Sequence, residues 1–191
     1  MSRKSEHLQS LIALYPFRGF ALSSPEPGRW VWQREGGDAN MRIEITDTPS
    51  GIIMWGDALD APVGLRDKHA GWLMSQRHGL GYFNSKVAGP RERYDTEYLQ
   101  ADVDDLRDEG ERADDDLAAE LASVIDGLPG LPETYDALID ALEAGASADA
   151  LCDIHELNLG MGPTDDVIVA YAAHCAIAAW MSERGAAMEA T

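Results

Sequence analysis

Apolar and polar positions follow two rhythms along this chain. Between Arg29 and Thr46 the apolar residues recur mainly at every second position. Trp30 and Trp32 share one side of a run, and Met41, Ile43 and Ile45 alternate with Arg42, Glu44 and Thr46. A period of two marks half-buried strands. Beyond Pro62 the spacing changes to three and four, the period of helices with one apolar face. The pattern predicts a short helix opened by Ser5, with Leu8, Leu11, Ile12 and Tyr15 on one side and Pro16 as its stop. Strands follow over 17–22, 29–35, 41–46 and 51–55. Turns fall at Pro25-Glu26-Pro27-Gly28, over 36–40 and at Thr48-Pro49-Ser50-Gly51.

Helices are expected over 66–77, with Ala70, Leu73 and Met74 inward, and over 82–87. A long one spans 95–126. Another starts with Pro132 as its first residue and runs to Glu143, and a further one is capped by Ser147 and bears Leu151, Ile154 and Leu157. Gly160-Met161-Gly162 reads as a loop, and a last helix, apolar almost all round, runs from Pro163 through Trp180 at the centre of a bundle. The fold class expected is α+β. Residues 1–94 form a short antiparallel meander of three to four strands covered by helices, and residues 95–191 form an acidic all-helical half.

Charge sharpens that division. Residues 1–94 carry twelve bases and ten acids, residues 95–126 have a net charge of −11, and residues 127–191 have −10, in a chain of −19. Within 95–126, Leu99, Val103, Leu106, Gly110, Ala113, Leu117, Leu121 and Val124 make one apolar or small stripe, and carboxylates take the remaining circumference. Gly110 costs a helix roughly 1 kcal/mol relative to Ala, so a bend or break is expected there. Like charges at helical spacing, such as Asp104–Asp108, cost a few tenths of a kcal/mol per pair. Carboxylates along a rod can imitate the phosphate track of a nucleic acid. The candidate partner-binding residues are therefore Asp102, Asp104, Asp105, Asp108, Glu109, Glu111, Asp114, Asp115 and Asp116. Such a surface repels nucleic acid and membranes and attracts a basic protein.

Motifs for chemistry are sparse. Aligning Gly110 with the sixth position of a calcium loop puts Arg107 at a ligand position, which rules out the standard loop. Cys152, His155, His174 and Cys175 raise zinc, yet His174 and Cys175 are adjacent and point about 100° apart on a helix. There is no Gly-x-Ser-x-Gly elbow. Asp57 and Asp60, with Arg66, Lys68, His69 and His78 downstream, form the one acid–base cluster, and they supply the alternative reading of an enzyme. That enzyme would use the Asp57/His69/His78 region or an acid-bound divalent metal. Trp30 and Trp32 beside Arg29, Arg34 and Arg42 suggest a stacking platform for nucleic acid, but a core role suits them better. Two cysteines and no secretory h-region fit a reduced, cytoplasmic setting, and the apolar run from Val167 to Met181 is short for a membrane span of about 20 residues.

The Trp30/Trp32 strand, Met41–Ile45, Ile53-Met54-Trp55-Gly56-Asp57, Tyr82-Phe83-Asn84-Ser85-Lys86-Val87 and Tyr94-Asp95 together resemble a loose group of small phage- and prophage-encoded proteins. The resemblance covers roughly residues 28–106. It implies a mobile-element origin in a bacterial host, where such products often inhibit host defence, an anti-CRISPR-type inhibitor being one form. The expectation is a non-catalytic binding protein without cofactor or metal. Its acidic helices would block the nucleic-acid-binding groove of a basic host protein or ribonucleoprotein, such as a CRISPR effector, with no direct nucleic-acid contact.

Overall fold

A computed structural model of the chain describes residues 2–36, 41–113, 116–150 and 158–189. The chain divides into two compact units. One combines Leu11–Arg91 with Pro163–Thr191 and the other combines Met1–Ser10 with Glu92–Gly162. They are called here the sheet unit and the helical unit. A single boundary near residue 94 is therefore corrected: the last helix belongs with the sheet. Its apolar circumference announced burial but carried no information about which partner it buries against.

In the sheet unit, six antiparallel strands lie in sequence order: β1 (Phe20–Glu26), β2 (Arg29–Arg34), β3 (Ile43–Thr48), β4 (Gly51–Trp55), β5 (Val63–Arg66) and β6 (Val87–Ala88). The α+β class follows from the alternation as expected. Register aligns one face: Trp32 pairs with Ile43, Ile45 with Met54 and Ile52 with Leu65. All six are buried. Helices α2 (Ala70–Ser75), α3 (Leu80–Lys86) and α7 (Asp165–Glu189) belong to the same unit. Ala70, Leu73, Met74, Phe83, Val167, Tyr171 and Ile177 complete the core over that face. Trp32 lies in this core, edge-on to Trp180, and Trp30 is partly buried against it. The stacking-platform reading of that pair thus fails.

Two local expectations in this unit need correction. The helix expected from Arg66 starts at Ala70, because Val63 and Leu65 alternate inward as β5 first. Four residues after a proline are too short a run to read as a strand. β1 extends through Pro25, past an irregularity between Ser23 and Glu26. It is an edge strand, where a missing N–H costs no ladder bond, so the turn tightens to Pro27-Gly28. Residues 37–40 of the expected hairpin loop 36–40 and the apolar positions Leu151, Ile154 and Leu157 lie outside the described residues.

The helical unit contains the start of α1 (Arg3–Ala13), then α4 (Thr96–Ala113), α5 (Asp116–Asp126) and α6 (Tyr135–Gly145). Residues 95–126 are thus two helices that pack on each other. Gly110 is not the break. A Cβ built on it would stand 3.0 Å from the Ala119 Cβ, so glycine serves the close approach of α4 and α5. Contacts of 107 with 126 and of 110 with 119 make the pair antiparallel. Leu99, Val103, Leu106, Leu121, Ile125, Leu138 and Leu142 form the core of this unit. Helix α6 is capped by Thr134, whose hydroxyl accepts the Ala137 N–H at 3.2 Å, so Pro132 lies before the helix instead of opening it. The glycine loop at 160–162 is also more regular than expected. β8 (Met161–Pro163) pairs with β7 (Glu92–Tyr94), and Gly162 lies so close to Tyr98 that a Cβ would come within 2.3 Å of its ring.

Candidate functional site

The helical unit holds 22 acidic and five basic residues, a net of −17, whereas the sheet unit has a net of −2. Charge is therefore segregated by compact unit, though less sharply than between residues 1–94 at +2 and residues 95–191 at −21. The larger apolar residues of α4, α5 and α6 are taken by the core, and most of the described carboxylates on these helices are exposed or half-buried.

The nine nominated residues do not act as one row. Asp102 is buried, with Lys4 Nζ at 2.9 Å and the Gly160 N–H at 2.8 Å. Burial pushes its carboxyl above the usual range, opposed by Lys4 and by the Gly160 amide. It is removed from the candidate contact set for that reason. Asp105 accepts the backbone N–H groups of Arg3 and Lys4, at 2.6 and 3.3 Å, at the start of α1. A carboxylate there satisfies helix amides that lack an internal partner and complements the positive helix end. Asp104 bonds Arg107 and, at 3.1 Å, Gln100. Arg107 also grips Asp126, which joins α4 to α5 and holds the Asp126 carboxyl below its ordinary value. Asp108 is half-buried. Asp114 and Asp115 lie outside the described residues.

Glu109, Glu111 and Asp116 remain exposed. Sequence reading passed over a second set. Asp136, Asp140 and Glu143 on α6 are exposed at successive steps of four and three, on one face of that helix. The same spacing rule that picked out α4 could have found them. They were overlooked because their density is lower. None of these six carboxylates has a hydrogen-bond or ion-pair partner among the described residues, whereas Glu120 accepts both the N–H and the hydroxyl of Ser147, at 2.5 and 3.0 Å. Between α4 and α5 runs a groove of about 360 Å³ lined by Arg107, Gly110, Glu111, Ala119, Ala122, Ser123 and Asp126. Of the stretch weighed as a calcium loop, residues 105–113 are helix through Gly110, with no turn among them to gather ligands.

The acid–base cluster of the sheet unit is not assembled. Asp57 is exposed beyond β4, and His69 stands at the start of α2 without capping it. Asp47 instead accepts the Ala70 N–H at 2.8 Å. No hydrogen bond or ion pair joins Asp57, His69 and His78 among the described residues. His78 stacks on Trp72 with centroids 4.3 Å apart, and its Nε2 is buried without a hydrogen-bond partner.

His174 is fully buried beside them. Its Nε2 accepts the His78 backbone N–H at 3.1 Å, and its Nδ1 lies 2.9 Å from the Leu73 carbonyl. Only a neutral ring with the proton on Nδ1 meets both requirements. Both nitrogens are therefore occupied, which removes His174 from any zinc set, and Cys152 and His155 lie outside the described residues. Among the described residues no group of three or more His, Cys, Asp or Glu is placed to hold a metal ion.

Burial pulls the His174 pKa from 6.5 down to about 4. In that window the unfolded chain binds a proton that the folded chain refuses, so folding is favoured above pH 6.5 and weakens as pH falls toward 4. At about 1.4 kcal/mol per pH unit the loss is roughly 3 kcal/mol. Urea unfolding followed between pH 7 and 4.5 should show this decline, and His174→Phe should flatten it. A slope unchanged by the substitution would rule out this account.

Among the described residues no helix is long and apolar enough to cross a membrane. No family model matches this chain, and neither a curated protein nor a solved structure matches it.

Proposed function

We propose that the protein acts by binding, and that its helical unit presents carboxylates in place of nucleic-acid phosphates to a basic surface of a partner. The observation that carries this reading is the segregation of charge, −17 in one compact unit against −2 in the other. A requirement for solubility alone would spread charge over both. The spacing is of the right order. Asp136, Asp140 and Glu143 step by about 6 and 4.5 Å along α6, against about 3.4 Å between phosphates of one strand. A basic groove sized for nucleic acid meets several such charges at once, and association is accelerated by long-range attraction.

The resemblance of residues 28–106 to phage proteins suggests a bacterial target involved in defence, such as a nucleic-acid-guided effector, and a cytoplasmic place of action. To test this, the full chain is immobilised and exposed to bacterial lysate treated with nuclease. The captured protein should be basic and nucleic-acid-binding, and it should be released by added DNA or RNA and by salt. Capture that nucleic acid leaves undisturbed would count against phosphate mimicry.

A further inference from the structure

The sheet unit contains a stretch of opposite charge. Residues 61–91 hold Arg66, Lys68, Arg77, Lys86 and Arg91 against the single acid Asp67. Two of these bases converge on one exposed ring. Tyr82, on α3, is 46% exposed. Lys86 Nζ lies 5.1 Å from its centroid and Lys68 Nζ 5.7 Å. Lys68 also stands 5.4 Å from the ring of Trp72, which meets Tyr82 at 6.1 Å. Behind them, Trp72 stacks on His78 and on the buried His174, with planes within 8° and 2° of parallel. An exposed aromatic is thus braced by a stack fixed in the core and flanked by two ammonium groups on flexible stems.

We propose that this patch binds an unpaired nucleobase together with its phosphate, as presented by a single strand of nucleic acid or by a free nucleotide. The base lies on Tyr82, taking the place of a lysine, and Lys68 and Lys86 turn to the phosphate. A base stacked on an aromatic ring is held more strongly than a cation at a solvent-exposed ring, so the exchange is favourable. An acidic protein segment would engage the two lysines but would leave the ring unused; a nucleotide engages all three groups. At physiological salt, charges more than about 8 Å from the patch are largely screened. None of its residues enters the proposed role of the helical unit, and its test measures the chain with a strand and no partner protein, so the two can fail separately.

The test is fluorescence anisotropy of the full chain with a labelled single strand of roughly 15 nucleotides, at about 0.15 M salt. Saturable binding is expected. Tyr82→Ala, and separately Lys68→Gln with Lys86→Gln, should each weaken it about tenfold or more, while Tyr82→Phe keeps it. Unchanged melting temperatures confirm that the variants are folded, as the exposure of Tyr82 leads one to expect. Displacement by a mononucleotide at comparable concentration assigns the site to a free nucleotide; its failure assigns it to a strand. The proposal is overturned if no binding occurs or if Tyr82→Ala binds as well as the parent. It is also overturned if polyglutamate displaces the strand as effectively as unlabelled strand does, which would identify an acidic protein as the occupant.

Discussion

A chain ending at Gly162 will lose the fold of its sheet unit although it retains all six strands. Helix α7 supplies Val167, Val169, Tyr171 and Ile177 to that core, all buried. Burying side chains of this size contributes about 1.5–3 kcal/mol each, so the four together rival the roughly 5–15 kcal/mol by which a whole domain is stable. Removing α7 also takes away His174, leaving the His78 amide and the Leu73 carbonyl without the ring that now satisfies them. The truncated protein should bind hydrophobic dyes, lose near-ultraviolet dichroism from Trp32 and show no cooperative melting of the sheet. A cut near residue 94 removes α7 as well and should fail in the same way. If residues 1–162 gave a dispersed protein with a cooperative sheet transition, the assignment of α7 to that core would be wrong.

What could be read from the sequence depended on how local the cause was. Ile43/Ile45 and Trp30/Trp32 declare their strands because alternation is a property of neighbours. Ala70, Leu73 and Met74 declare α2 in the same way. β5 and β6 were missed because four and two residues are too few to show a period. Gly110 was misread for a different reason: its cost to a helix is visible locally, whereas its benefit depends on Ala119, brought near only when α5 folds back. The candidate site failed at the same kind of point. Asp102 and Asp105 look identical to their neighbours in sequence. Lys4 and the start of α1, about a hundred positions away, turn them into internal anchors. The overall acidity of the region was legible, but which carboxylates remain free was not.

That distinction predicts opposite results for two sets of carboxylates. Converting Glu109, Glu111, Asp116, Asp136, Asp140 and Glu143 to Gln and Asn removes six exposed charges without changing shape. Relief of the Asp136–Asp140 and Asp140–Glu143 repulsions returns a few tenths of a kcal/mol each. Loss of Asp116 and Asp136 from first helical turns costs about 0.3–1 kcal/mol each. Folding stability should therefore change by no more than about 1–2 kcal/mol. Changing Asp102 to Ala is different in kind. It leaves Lys4 half-buried and the Gly160 amide buried without their acceptor, a loss of about 3–5 kcal/mol expected when one partner of a buried pair is removed. Thermal melting of the two variants should separate surface charge from structural charge.

The most direct test of the central claim is the affinity of the captured basic partner for the parent chain and for the six-charge variant, at about 0.15 M salt. The account predicts a loss of about a hundredfold or more, mainly through slower association, because steering scales with the summed charge. It also predicts that nucleic acid competes with the parent for the partner. Binding by the variant within about twofold of the parent, at unchanged salt dependence, would contradict the claim that these carboxylates form the binding surface.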